Sequence, residues 1–254
     1  NALLVTGFAE AHRALPENRY DQAATNLLDT LVNTVWQNGE IAHQYLNGEA
    51  EGEGFLDDYA SFGQALLEGF LLTGNRTYLD HAQEIAKSIE RLFPFEGAFR
   101  VYTPSVEAAW QKQLEIEDNV IPSANSMWAH FFQYLGVIAD RNDWKEQAQL
   151  ALRAVHSKVF RYGPNFSNWL ELGLMRAYGA KELVITGSRA KAAAEELQRA
   201  HYQPGTLVLF SESASELAHF KGRVGHTLTY YLCSNNTCQL PTTDLNELLK
   251  LWKA

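Results

Sequence analysis

Cysteine is almost missing from this sequence. Only Cys233 and Cys238 occur in 254 residues, both near the end, so disulfides cannot hold the main body together. A cytoplasmic origin is the default expectation, and two cysteines alone are too few for a zinc site. No H-x-x-E-H, HExxH or paired CxxC pattern occurs, so a metal has no sequence support and no cofactor is expected. Long apolar runs are missing too. Ala65–Leu72 is interrupted by Glu68 and Gly69, well below the roughly 18 to 20 residues that span a bilayer, so no membrane segment is expected. There is no surplus of basic charge. With 30 acidic and 21 basic residues, a net charge of −9 and no block of like charge, the chain offers no track for phosphates, which excludes nucleic acid as a partner class. The chain opens at Asn1 without an initiator Met, and Ala2–Ala14 already reads as an amphipathic helix with no signal-peptide features, so a piece of something longer is expected.

What is present is enough apolar residue for a sizeable core, 46% hydrophobic against 20% charged. It is organised as a repeat of about sixty residues. Tyr20–Tyr45 lines up with Tyr78–Tyr102. Each runs from an aromatic residue through an apolar helix to a second aromatic, then Gly and a short strand ending in Tyr. A third copy begins at Trp144, where Ala148, Ala151, Leu152, Val155 and Val159 keep the spacing of a buried helical stripe. Between the copies lie helices that are apolar on most faces: Ala2–Leu15, Asp57–Thr73, Ser123–Asp140 and about Asn168–Tyr178. The pattern is inner helix, short turn, outer helix and a longer connection, a stack of helical hairpins curling into a ring. Gly74 and Asn75 suit a helix C-terminus, Asp57 and Ser123 suit N-caps, and Pro122 keeps the preceding chain out of the helix.

From Lys181 the pattern changes to strand, helix, strand, strand and a closing helix at Asp244–Lys253, which divides the chain into residues 1–180 and 181–254. The expected fold class is mainly α, an α/α toroid incomplete in this chain, followed by a small α/β domain. Ile185–Ala190 (ITGSRA) has a strand, a Gly turn and a helix, yet lacks both the Walker pattern and GxGxxG, so phosphate binding is the minor reading.

Four stretches, Phe55–Ala60 (FLDDYA), Thr73–Leu79 (TGNRTYL), Asn119–Ser126 (NVIPSANS) and Cys233–Glu247 (CSNNTCQLPTTDLNE), together resemble the C-terminal part of the spermatogenesis-associated protein 20 family. Those are thioredoxin-domain proteins with bacterial members. The resemblance implies a six-hairpin toroid similar to N-acylglucosamine 2-epimerases and six-hairpin glycosidases. It also implies a thioredoxin-like domain, as a partner module N-terminal to this region. The chain has no such domain and shows about four inner helices.

Long connections entering the inner helices mark one face as the place for a site. Asp57 and Asp58 open an inner helix, where a carboxylate gains from free N–H groups. Capping accounts for Asp57 and leaves Asp58 as the acid/base candidate. Glu115, Glu117 and Asp118 precede the next inner helix, with Asp118 the preferred second acid of the pair that glycoside hydrolysis needs; a solvated acidic loop is the plainer reading. Asn125 is odd inside a helix unless it has a partner. Tyr45, Tyr59, Tyr102, Trp110, Trp128 and Trp169 are aromatic candidates for a sugar ring, against ordinary core filling, and His43 and His130 are candidate proton shuttles. Cys233 and Cys238 flank an Asn235–Asn236 turn and are expected as two reduced thiols, with a cross-hairpin disulfide the alternative. The leading functional expectation is a carbohydrate-active module, an epimerase or hydrolase holding a sugar in the ring's cleft. The alternatives are a non-catalytic docking module and, weakest because the spacing is not CxxC, a redox role for the two cysteines.

Overall fold

A computed structural model of the chain describes every residue except 16, 17, 38, 105–112, 180, 202–204, 214, 235, 236 and 254, together with the side chain of 253. The expected aromatic candidate Trp110 and the Asn235–Asn236 turn lie outside the described residues. The chain is mainly helical with small sheets, and it divides into two compact units. The first comprises Asn1–His12 and Glu17–Gly173, and the second Arg13–Pro16 and Leu174–Ala254, so the division falls at Gly173/Leu174 where 180/181 was expected.

The first unit begins with α1 (Ala2–Ala14) and α2 (Tyr20–Thr34), followed by an antiparallel ribbon of β1 (Trp36–Gln37), β2 (Glu40–Leu46) and β3 (Glu49–Glu53). Then come α3 (Leu56–Thr73) and α4 (Arg76–Leu92), the short hairpin β4 (Phe95–Glu96) and β5 (Phe99–Arg100), α5 (Ala124–Ile138), α6 (Asn142–Arg161), a 3-10 turn at Gly163–Phe166 and the first part, to Gly173, of α7 (Ser167–Tyr178). Helix α3 packs on α2, α4 and α5, and α5 packs on α6. As the apolar pattern requires, α3 and α5 are buried on most faces, with Leu66, Trp128, Phe131 and Leu135 sealed from solvent. Val137, expected in the same layer, is only half-buried. Gly63 permits the α3–α5 approach: a β-carbon there would sit 2.5 Å from the Phe131 ring. The expectation that α1 is buried all round does not hold, since only Val5 and Ala9 are buried while Leu3 and Leu4 are exposed.

In the second unit, β6 (Lys181–Thr186), α8 (Ala190–Ala200) and β7 (Thr206–Ser211) form a parallel β–α–β unit. Strand β8 (Thr229–Ser234) adds antiparallel to β6, β9 (Thr237–Cys238) follows it, and α9 (Leu245–Lys253) closes the chain. Alternation along β6 decides its faces. Leu183 and Ile185 join Tyr230 and Leu232 in a core with α8 and α9, leaving Glu182 and Val184 with Tyr231 and Cys233 on the opposite face. Gly187 turns the chain at φ 97°, where a β-carbon would stand 2.2 Å from the Thr227 carbonyl oxygen. The N–H groups of Gly187 and Ser188 donate to the carbonyls of Ser211 and His226, so this turn has no cradle left for a phosphate.

The two cysteines are not reduced thiols. Antiparallel pairing sets Cys233 directly opposite Cys238 with their Cα atoms 3.9 Å apart, and they form a disulfide. Strand register, which spacing does not fix, brings them together.

Candidate functional site

The start of α3 sets the geometry. The N–H of Leu56 donates to the carbonyl of Tyr102 at 3.0 Å, so the helix begins two residues earlier than an Asp57 cap would require, and Phe55 becomes the N-cap. Phe55 has no side-chain acceptor. The cap is completed in reverse by Asp58, whose Oδ2 accepts from the Phe55 N–H at 2.9 Å. The expected roles of the two acids are therefore exchanged: Asp58 is the capping residue and Asp57 is the freer one. Asp58 also holds His43 of β2, with Oδ2 2.7 Å from Nδ1. This hydrogen bond raises the His43 pKa, against the opposing effect of burial, and the charges of Asp58 and Asp57 add to it.

Asp57 accepts from the N–H of Asp58 and is hydrogen-bonded to the Tyr102 side chain. Burial, then the neighbouring charge of Asp58, lift its carboxyl above the usual carboxylate range, with Glu115 pushing the same way and Tyr102 opposing. Burial and the charges of Asp57 and Glu115 likewise raise the Tyr102 phenol, whose ring stacks on Phe55 at 5.0 Å between centroids. Tyr45 lies two residues beyond His43 on the same face of β2 and is 48% exposed, free to meet a ligand. A depression of about 650 Å³ opens between the ribbon and α3, with Ala42, Tyr59 and Pro104 among its walls.

Asp118, Asn125, Trp128, Trp169 and His130 lie at or near the starts of α5 and α7, and apart from the Trp128 Nε1–H, which is buried without a partner, their side-chain polar groups are used internally. Asp118 is 4% exposed. Its Oδ1 accepts from the Ser123 N–H at 2.9 Å and the Ser126 hydroxyl at 2.8 Å, and its Oδ2 from the Asn168 N–H at 2.9 Å. Asn125 has the partner its position demands. Its Oδ1 accepts from the Arg100 N–H, and its Nδ2 donates to the carbonyls of Arg100 and Glu115. Tyr59 is sealed in the core with its hydroxyl accepting from the Ile41 N–H, and Trp128 is core filling against Phe95 and Phe132. Trp169 is buried as well, its Nε1–H donating to Ile116. His130 is buried, its Nε2 2.7 Å from the Asn168 carbonyl, and burial lowers its pKa.

Arg100 escaped sequence reasoning altogether, since nothing marks an arginine in a two-residue strand as buried. It is 2% exposed, donates to the carbonyls of Phe93 and Ile89 at the end of α4, and lies over the Phe95 ring at 4.1 Å. Burial lowers its pKa to about 10. The pairings His43–Asp58 and Tyr102–Asp57 also had no signal in the sequence, because each joins segments whose meeting depends on the fold. Among the described residues no group of three or more His, Cys, Asp or Glu is arranged to hold a metal ion, and no helix is long and apolar enough to cross a membrane.

No model of a known protein family matches the chain. It is similar along nearly its whole length to spermatogenesis-associated protein 20. Identity is 24% with the human protein and 25% with the Rattus norvegicus protein, each over 99% of this chain and 35% of the relative. An uncharacterised protein of Caenorhabditis elegans is 25% identical over 98% of this chain and 36% of its own length. The chain thus spans about a third of the length of these relatives. They are animal proteins, so the bacterial origin expected from the resemblance gains no support.

Proposed function

We propose that the chain is a carbohydrate-active module, part of a six-hairpin type of helical ring, in which Asp57 does acid/base work on a sugar bound at the start of α3. One observation carries this reading: a part-buried carboxyl whose pKa is raised, hydrogen-bonded to a tyrosine, in the first turn of the helix whose Tyr59 walls a depression of about 650 Å³. A carboxyl shifted upward keeps its proton closer to neutral pH and can deliver it to a sugar oxygen. Glu115, close enough to act on both Asp57 and Tyr102, supplies the second carboxylate that a hydrolase or epimerase requires, in the place first expected for Asp118. Asp58 positions His43 as a further proton carrier, and Tyr45 offers its ring as a platform. In this reading the module works in the cytoplasm beside a thioredoxin-like domain of a longer protein.

The second reading is a non-catalytic docking module. The internal use of Asp118, Asn125, Tyr59 and Trp128 favours it, because four of the expected site residues are thereby accounted for by folding alone.

A thermal-shift screen of the full-length protein against sugars and sugar phosphates, followed by turnover of the ligands found, separates the two. Asp57→Asn is expected to lower turnover by about 100-fold or more, as loss of a general acid does. It should not lower the melting temperature at neutral pH. Because the folded pKa of Asp57 is raised, its ionised form is disfavoured in the fold, and its contribution to stability falls as pH rises from 3.8 through the folded value. Wild-type turnover in Asp57→Asn would remove Asp57 from the mechanism, and a panel without a single shift would leave the docking reading in place.

A further inference from the structure

The sheet face of the second unit that points away from α8 and α9 gathers chemistry that neither reading above uses. Cys233 is 3% exposed, whereas Cys238, on the edge strand β9, is partly open to solvent. Arg223 spans the bond between them. Its Nη2 lies 3.5 Å from Cys238 Sγ and its Nη1 3.9 Å from Cys233 Sγ. Arg223 is held by both its side chain and its backbone. The guanidinium covers the Tyr231 ring at 5.1 Å, and the Arg223 carbonyl accepts from the Thr186 hydroxyl at 2.9 Å and from the Tyr231 hydroxyl at 3.4 Å. On the same face Glu182 stands opposite Cys233 in the β6–β8 register and pairs with His219 at 3.3 Å.

A disulfide that only braces a hairpin has no use for a cation on its sulfurs, because neither sulfur carries charge while the bond is intact. Charge appears when a thiolate leaves, and a cation at 3.5 to 3.9 Å then stabilises it. We propose that the Cys233–Cys238 disulfide is a thiol–disulfide exchange site that accepts electrons from a dithiol, with Arg223 stabilising the sulfur that departs. In the first step a thiolate of the dithiol attacks Cys238 Sγ, the accessible sulfur. A mixed disulfide forms at Cys238, the Cys233–Cys238 bond breaks, and its electron pair leaves as the Cys233 thiolate beside Nη1 of Arg223. In the second step the other thiol of the dithiol, deprotonated, attacks its own sulfur in the mixed disulfide. The dithiol closes to its cyclic disulfide and Cys238 leaves as a thiolate beside Nη2. Two electrons and two protons pass from the dithiol to the protein, which ends with two thiols. Arg223 touches the reacting atoms throughout.

The test uses reduced dithiothreitol as the dithiol, with alkylation and intact mass to count thiols in the folded protein over time. The wild type is expected to gain two alkylation sites under native conditions. Arg223→Gln is expected to react about fivefold more slowly, the factor that one unit charge at about 4 Å gives when screened as in water. Arg223→Lys keeps the charge and is expected to retain most of the rate, which separates electrostatics from loss of packing. Circular dichroism confirms that each variant is folded before its rate is read. Equal rates for wild type and Arg223→Gln would overturn the proposal, and so would a disulfide that opens only in denaturant. Two free thiols after air oxidation of the folded protein would overturn it as well.

Discussion

Asp118 offers the sharpest separation between a catalytic and a structural acid. Truncating it to Ala removes the acceptor shared by Ser123 N–H, Ser126 hydroxyl and Asn168 N–H, in a place that is 4% exposed. The three losses are unequal. Ser126 has a second acceptor, the Ser123 carbonyl at 2.9 Å, so its hydroxyl stays satisfied. The N–H groups of Ser123 and Asn168 each rely on Asp118, and an unsatisfied buried donor costs about 1 to 3 kcal/mol. Removing the desolvated carboxylate itself returns part of that. The net expectation is a loss of about 3 kcal/mol for Asp118→Ala. Asp118→Asn keeps one oxygen for Ser123 and turns an amide N–H2 toward the Asn168 N–H, for a loss of about 1 to 3 kcal/mol. Urea unfolding followed by circular dichroism at the helical band, with tryptophan fluorescence as a second probe, measures both. A loss below about 1 kcal/mol for Asp118→Ala would refute the reasoning, and a fully stable variant that had lost sugar turnover would return Asp118 to the catalytic role first expected of it.

Two further outcomes follow from burial. Gly63→Ala places a methyl group 2.5 Å from the Phe131 ring, so it should destabilise by about 1 to 3 kcal/mol as overpacking does; a neutral result in the same urea assay would mean that α3 and α5 are not this close. His130 has a lowered pKa in the fold, so the unfolded chain binds the extra proton and stability is lost as pH falls through 6.5. The fall between pH 7.5 and 5.5, a window set around the ordinary histidine value of about 6.5, should be smaller in His130→Gln. His43, whose pKa is raised, contributes in the opposite direction and is common to both proteins; identical slopes would exclude His130 as the source.

The helical hairpins were legible because local chemistry and long-range packing ask for the same residues. The Trp144 stripe buries Ala148, Ala151 and Val155 as its spacing requires, while Leu152 and Val159 of the same stripe are only half-buried. Gly74 takes the left-handed C-cap at φ 72° and Ser123 accepts from the N–H of Ser126 as expected, whereas Asn75, expected at a helix C-terminus, instead caps the start of α4 by accepting from Thr77. What was not legible depends on contacts between distant segments. The cap of α3 is moved by two residues, from Asp57 to Phe55, where the Tyr102 carbonyl accepts from Leu56, and that shift exchanges the roles of Asp57 and Asp58. The disulfide depends on the β8–β9 register, and Trp128 was read as a sugar platform because an aromatic on a helix looks the same in sequence whether a core or a ligand covers it.

The two helix starts answer one requirement, that the first N–H groups of a helix find acceptors, and they answer it differently. At α5 the requirement engages the polar side chains nearby: Ser123 caps, Asp118 binds the cap and the start of α7, one oxygen of Glu115 accepts from Ala124, and Asn125 ties the helix to the Arg100 backbone. A carboxylate with three donors fixed on it and almost no exposure has nothing left to offer a substrate. At α3 the Tyr102 carbonyl and Asp58 between them serve Leu56 and Phe55, and Asp57 is left over, part-buried, with a phenol as its partner and a raised pKa. A folding requirement met by other groups frees a residue for chemistry, and such a residue is better distinguished by its surplus than by its type. Two acids side by side in FLDDYA therefore make sense as a pair with divided work, Asp58 building the helix start and holding His43, Asp57 left with the raised pKa on which the proposed acid/base role rests.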